Sequence, residues 1–255
     1  MHLGHSGADD PIFQELMSRG VVLTNSAGVA AEPIAQSAMA GLLALNRGIP
    51  GWIEAQRRHA WKPSPDQASP EDLPAELGQQ RMLVFGLGST GSYVARYARA
   101  FGIHVSGVRR TPATIEDGVD DWFPPERLGE LLPSADILVI AAPLTAQTRG
   151  VIDAAALDLL PAGAVVINVA RGEIMDEQAL SARLASGRIA GAYLDVFATE
   201  PLPSDSPLWD LPNVIISPHE SARSAGTRAR VEAILKEELE RWLRGEDSPR
   251  RVADR

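Results

Sequence analysis

Cysteine is absent from all 255 residues, so neither a disulfide nor a thiolate nucleophile can serve this protein. A reducing compartment is compatible with that absence. Aromatic residues are scarce, 5% against 45% for the apolar set as a whole, so the core has to be built from Ala, Val, Leu and Ile, as in sheets covered by helices. Basic residues are outnumbered, 24 Lys and Arg against 33 Asp and Glu for a net charge of −9, which argues against a nucleic-acid partner because phosphate backbones need a clustered cationic surface. An anionic small molecule stays open, since a local pair of arginines can act inside an acidic protein. No apolar run approaches the roughly 18 residues of a membrane span, and MHLGHSGADD at the N-terminus lacks the basic and apolar stretches of a signal peptide. A cytoplasmic protein without membrane contact is expected. The five His are scattered with no HExxH-like spacing, so no metal is expected.

What is present organises itself around a change of rhythm. Gly20 to Asn25 reads as a short strand, Glu32 to Asn46 as an Ala-rich helix with Pro33 in its first turn, and Trp52 to Trp61 as a second helix. Lys62 to Gln80 carries four Pro and few apolar residues and reads as a loop or linker. From Arg81 onward, strand-length apolar runs alternate with helical segments. The strands are expected at Arg81 to Gly86, His104 to Val108, Asp136 to Ala142, Ala164 to Ala170, Ala190 to Val196 and Asn213 to Pro218. The helices between them are expected at Ser89 to Phe101, Pro125 to Leu132, Asp153 to Leu160 and Asp176 to Ser186. Runs that are apolar on both faces and alternate with helices predict an α/β fold, a doubly wound parallel sheet of the Rossmann type. A last amphipathic helix, Ala222 to Arg244, is expected to pack its apolar face, including Val231, Leu235, Leu239 and Trp242, on the body.

Gly86, Gly88 and Gly91 form GxGxxG between the first of these strands and its helix. A tight turn alone would favour glycine, but in this setting the first Gly permits the turn, the second lets backbone approach a pyrophosphate, and the third lets helix and strand pack closely. The N–H groups of the helix start then face the phosphates. About 20 residues further on, an acidic residue normally holds the ribose hydroxyls of NAD; here Arg109 and Arg110 stand instead. A guanidinium pair there can bind the 2′-phosphate of NADP. NADP(H) is therefore favoured, NAD(H) is possible, and a solvated arginine pair at a strand end is the ordinary alternative.

Arg171, Glu200 and His219 each follow a predicted strand of the same sheet, where the carboxyl ends line a ligand crevice. Hydride transfer between a nicotinamide and a 2-hydroxy or 2-oxo acid needs an anchor for the carboxylate and a group that exchanges a proton with the reacting oxygen. Arg171 suits the first task, His219 the second, and a carboxylate such as Glu200 would orient the imidazole. Singly, each also has a structural explanation, as a turn residue or a loop side chain. His2, His59 and His104 lack this placement and are assigned structural roles, with His5 a partial exception.

With these residues in place, the chain resembles the D-isomer-specific 2-hydroxyacid dehydrogenase family. The resemblance rests on GVVLTNSAGVAAEPIAQ, LVFGLGSTG, ADILVIAAPLTAQTRGVID, LLPAGAVVINVARGEIMDEQAL, GAYLDVFATEPLP and NVIISPHESA. It implies that Arg171 binds the substrate carboxylate, Glu200 supports the imidazole, and His219 is the acid/base, also lying against the cofactor. It further implies cofactor contacts from Ser89, Thr90, Ala142, Pro143, Val169, Ala170 and Asp195, the last near the nicotinamide carboxamide. The partner would be a small 2-oxo or 2-hydroxy acid of D configuration, and the assembly a homodimer with the Glu32 to Trp61 helices as its arm. In the family the substrate domain is flavodoxin-like and split by the cofactor domain. Residues 28–222 would then form the dinucleotide-binding domain, and residues 1–27 and 223–255 a remnant of the substrate domain. Gly4 to Gly7, with His5 and Ser6, would offer backbone N–H groups to the substrate. Two departures stand out, Gln36 in place of the usual Glu and Glu220 directly after the histidine. The shortened substrate domain also leaves a second expectation, a dinucleotide-binding remnant or sensor with impaired catalysis.

Overall fold

The computed structural model describes residues 1–8, 10–61 and 73–252. Its main element is a parallel sheet whose interior strands are buried on both faces: β3 (Arg81–Phe85), β6 (Ile137–Ile140), β7 (Ala164–Asn168) and β8 (Ile189–Leu194). With β4 (His104–Val108), β5 (Asp121–Phe123) and β9 (Val214–Ile216), the order is β5-β4-β3-β6-β7-β8-β9, every pairing parallel. The chain reverses its direction of winding between β3 and β6. That is the switch point outside which ligands bind in doubly wound sheets.

Alternation along each strand divides the core in two. Met82, Val84, Ile137, Val139, Val165 and Ile167 face helices α2 (Ala31–Asn46) and α4 (Ser89–Ala100), meeting Ala38, Leu42, Val94 and Ala98. Leu83, Phe85, Leu138, Ile140 and Val166 face the other side, with Leu157 of α6 (Ala154–Leu159) and Leu180 and Leu184 of α7 (Glu177–Ala185). A fully buried aliphatic side chain contributes about 1.5–3 kcal/mol, so these strands form the rigid platform of the molecule.

A second, smaller body is built from both ends of the chain. β1 (His2–Leu3) and β2 (Thr24–Asn25) pair in parallel, with α1 (Pro11–Ser18) between them, capped by Asp10. Val252 joins Leu3 and Leu23 in its core, and Val252 N–H donates to Leu23 O at 2.8 Å. The last helix, α8 (Thr227–Leu243), is tied to the rest by Arg230, which donates to Val29 O at 2.7 Å.

Several expectations are corrected by the structure. Only Thr24 and Asn25 of the strand expected at Gly20 to Asn25 are paired. The helix expected at Trp52 to Trp61 is α3 (Ile49–Arg57), started by left-handed Gly48 and Pro50, and Trp61 lies beyond it, exposed. Pro125 to Leu132 is a single α turn, α5 (Leu128–Leu131), flanked by 3-10 turns. The apolar face of the last helix packs only in part: Val231 and Ile234 are half-buried, while Leu235, Leu239 and Trp242 are exposed, and Glu238 is the helix's one fully buried side chain. Residues 62–72 of the expected linker lie outside the described residues, and Leu77–Gln79 forms a 3-10 turn. Among the described residues no helix is long and apolar enough to cross a membrane, and no group of three metal-ligating side chains occurs.

Candidate active site

The glycine loop sits at the carboxyl end of β3. Gly86 adopts φ +105°, and a Cβ there would lie 2.3 Å from the backbone nitrogen of Ala142. A Cβ on Gly91 would lie 2.0 Å from Gly86 O, so helix α4 meets the strand closely only because both residues are glycine. Gly88 faces open space. It precedes a helix with no side-chain cap, leaving the first N–H groups of α4 at Ser89, Thr90 and Gly91 without intrahelical partners. That is the donor set a pyrophosphate requires, and the absence of a Cβ at Gly88 leaves room for its approach. A dinucleotide fits here.

Beside the loop lies a cavity of about 630 Å³, within the range of small-molecule sites. Gly88, Ser89 and Thr90, Ala142 and Pro143 after β6, and Val169, Ala170 and Arg171 after β7 line it together. Ser6 and Gly7 from the loop after β1 close the opposite side. Glu200 and His219, in the loops after β8 and β9, are not among its lining residues.

Arg171 is half-buried and donates to Ala170 O at 2.7 Å. Its turn is held by Asn168, fully buried, whose side chain accepts from Ala170 N–H at 3.1 Å and donates to Arg171 O at 3.0 Å. A Cβ on Gly172 would fall 1.9 Å from the carbonyl carbon of Phe197, so the loops after β7 and β8 are in backbone contact. Phe197 N–H in turn donates to Glu200 Oε1 at 3.0 Å. The other oxygen, Oε2, pairs with His219 Nδ1 at 2.7 Å. An ionised carboxylate can only accept, so the Nδ1 proton lies toward Glu200 and Nε2 is left for exchange.

His219 takes φ +54°, a left-handed conformation disfavoured for side chains with a Cβ. Asp195 holds it there. His219 N–H donates to Asp195 O at 2.9 Å, and the Asp195 carboxylate accepts Glu220 and Ser221 N–H at 3.1 Å and the hydroxyls of Ser217 and Ser221. Asp195, expected near the carboxamide end of a cofactor, is thus 1% exposed with its carboxylate turned to the His219 loop.

The arginine pair is split. Arg109 turns inward to Leu87 O, Thr111 O, Pro112 O and Asp117, while Arg110 is exposed. Of the other histidines, His2 bridges Thr24 and Ser26, with burial holding its ring below the usual pKa, and His104 bonds Asp121 at 2.8 Å. His5 packs its ring near Phe13. Asn168, Gly172 and Ser221 were not anticipated; a lone polar residue inside VVINVA is the one signal that marked any of them.

Comparison with known proteins agrees with this arrangement. Residues 39–221 match the model of the D-isomer specific 2-hydroxyacid dehydrogenase NAD-binding domain. The chain is 34% identical to a glyoxylate reductase of Korarchaeum cryptofilum, over 96% of this chain and 73% of that protein. It is 33% identical to a D-3-phosphoglycerate dehydrogenase of Mycobacterium bovis, covering 95% of this chain but 44% of the relative. Among solved structures, a D-isomer specific 2-hydroxyacid dehydrogenase from Xanthobacter autotrophicus Py2, in complex with NADPH and MES, superposes with a TM-score of 0.82 at 36% identity, covering 99% of this chain and 76% of that one. The family model spans the glycine loop, the Arg171 turn and the Glu200–His219 pair, and the chain belongs to the D-isomer specific 2-hydroxyacid dehydrogenase family.

Proposed function

We propose that this protein reduces small 2-oxo acids to D-2-hydroxy acids with a preference for NADPH. The observation that carries the reading is the 2.7 Å contact of Glu200 with His219 Nδ1 in the loops after adjacent strands β8 and β9, next to β7, which Arg171 follows. Gly88, Ser89, Thr90, Ala142, Pro143, Val169 and Ala170 would hold the dinucleotide, whose nicotinamide supplies the hydride when bound. Arg171 anchors the substrate carboxylate and draws electron density from the adjoining carbonyl. His219 Nε2 delivers its proton to the oxygen on substrate C2 and regains one from solvent. Glu200 fixes the orientation of the ring. Asp195 acts as a positioning residue for the His219 turn. The 2′-phosphate of NADPH is met at the loop after β4, where Arg110 is exposed, in keeping with the NADPH held by the Xanthobacter relative.

Residues 28–222 serve as the cofactor domain, and residues 1–27 and 223–255 as part of a substrate domain. A homodimer forms through the α2–α3 arm, where Trp52 and Ile53 are 59% and 45% exposed. A second reading, dinucleotide binding with impaired turnover, is favoured by one observation, the exposed apolar face of α8 on the substrate side. The two are separated by following NADPH and NADH oxidation with glyoxylate, hydroxypyruvate and phenylpyruvate. Turnover with any of these supports the reductase; NADPH binding without turnover supports the second reading.

A further inference from the structure

We infer that Tyr193 is a positioning residue for the acid/base histidine: through Ser217 its hydroxyl fixes the Asp195 carboxylate that holds the His219 turn, and so ties helix α2 to the site. This rests on the reading of His219 as the proton donor.

Tyr193 lies in β8 on the face that packs against α2, and it is 5% exposed. Its ring fits because α2 carries Gly41 there: a Cβ at Gly41 would lie 2.4 Å from Tyr193 Cγ. Phe would fill the same volume, so packing accounts for the ring and not for the oxygen. The hydroxyl meets Ser217 Oγ, in the residue after β9, at 2.9 Å. Ser217 Oγ in turn meets Asp195 Oδ1 at 2.5 Å.

The direction of these bonds follows from the carboxylate. An ionised carboxylate can only accept, so the one hydroxyl proton of Ser217 is spent on Asp195, and Ser217 receives the proton of Tyr193. The Tyr193 oxygen keeps acceptor capacity, and the Ser37 hydroxyl of α2 bonds to it. Burial, together with the charge of Asp195, pushes the phenol above its ordinary pKa against the bonds of Ser217 and Ser37, so it stays a donor at neutral pH. Ser37, Tyr193, Ser217 and Asp195 thus form one chain in which each hydroxyl polarises the next.

That chain ends on the catalytic turn. Asp195 Oδ1 also accepts Glu220 and Ser221 N–H at 3.1 Å, while the Asp195 backbone oxygen accepts His219 N–H at 2.9 Å. His219 stands at φ +54°, a conformation that persists only where the surroundings over-determine it. Without the Tyr193 proton Ser217 is free to turn, the carboxylate loses its fixed partner, and His219 Nε2 shifts against the substrate oxygen. A misplacement of about 1 Å at a reacting group can cost about 10²-fold in rate.

The test compares wild type, Tyr193→Phe, Ser217→Ala, Ser217→Thr and the Tyr193→Phe/Ser217→Ala double variant. Steady-state reduction of glyoxylate and hydroxypyruvate, NADPH titration and amide hydrogen exchange are measured for each. Tyr193→Phe keeps the ring on Gly41 and is expected to lower kcat about two- to tenfold, the range of one neutral hydrogen bond. KM for the oxo acid and NADPH affinity are expected to stay within about twofold, while the Glu220 and Ser221 amides exchange faster. Because the two hydroxyls act in series, the double variant is expected to lose no more than Ser217→Ala alone. Ser217→Thr, which keeps the hydroxyl, is expected to keep kcat within about twofold of wild type. Wild-type kcat with wild-type exchange in Tyr193→Phe overturns the inference, as do single losses that multiply in the double variant. A wild type that reduces neither acid overturns the reading of His219 instead, and exchange at Glu220 and Ser221 still decides whether Tyr193 holds the turn.

Discussion

The carboxylate of Asp195 accepts the backbone N–H of Ser221 at 3.1 Å, two residues past His219. The same carboxylate gathers Ser217 and Glu220, so a left-handed histidine is over-determined by one buried anion. Replacing Asp195 by Ala leaves several buried donors unpaired and is expected to lower stability by about 3 kcal/mol or more. Chemical denaturation checks this; a change within about 0.5 kcal/mol, the range of ordinary surface substitutions, would show that the turn holds without it.

Gly172 couples the arginine turn to the loop that carries Glu200. Its Cβ position lies within 2.3 Å of Phe197 and Ala198 backbone atoms, which have no freedom to retreat as a side chain would. Gly172→Ala is expected to shift both loops, destabilise the protein by about 1–3 kcal/mol as overpacking does, and raise KM for the oxo acid more than for NADPH. Thermal melts and steady-state kinetics read both effects. A variant with wild-type melting and KM contradicts the coupling.

The strands of the cofactor domain were legible from sequence because burial on both faces of a parallel sheet leaves near-continuous apolar runs such as MLVF and ILVI. β5 was not, because Asp121–Phe123 is a three-residue edge strand that is only partly buried. α1 escaped for a related reason: PIFQELMS follows a good cap at Asp10 but buries no residue fully. α8 shows the opposite error. Its helical period was plain, yet a period names a face without saying what covers it. At the site, Arg171, Glu200 and His219 could be placed at strand ends from their order along the chain. The inward turn of Arg109 could not, since it depends on Asp117, eight residues away across a bend.

Asp117 makes stability pH-dependent with a defined sign. Burial alone would push its carboxyl up, but the bonds from Thr114 and Ser92 and the charge of Arg109 together hold its folded-state pKa below the ordinary value, so the folded state binds fewer protons than the unfolded chain through the acid range. The stabilisation is present above the unfolded pKa, about 4, and is lost as pH falls through the lower folded value. Asp117→Asn lacks this contribution. The gap in melting temperature between wild type and Asp117→Asn is expected to be widest near neutral pH and to narrow below about pH 4. A gap that widens on acidification contradicts the assignment.

The outer face of α8 offers a test of packing. Leu239 and Trp242 are 53% and 73% exposed, so Leu239→Ser with Trp242→Ser removes little burial. The double variant is expected to melt within about 0.5 kcal/mol of wild type, as surface changes do, and to scatter less light on concentration because an apolar patch is gone. A large fall in melting temperature would place the face inside a packed interface.

The central claim is that His219 transfers the proton that accompanies hydride arrival at substrate C2. Pre-steady-state turnover of NADPH with glyoxylate or hydroxypyruvate by wild type and His219→Asn, alongside NADPH affinity for each, measures it most directly. Loss of general acid catalysis is expected to slow the chemical step by about 10²–10⁴-fold, with NADPH affinity within about threefold of wild type. A His219→Asn enzyme that turns over as fast as wild type contradicts the account, as does a wild type that binds NADPH and reduces neither acid.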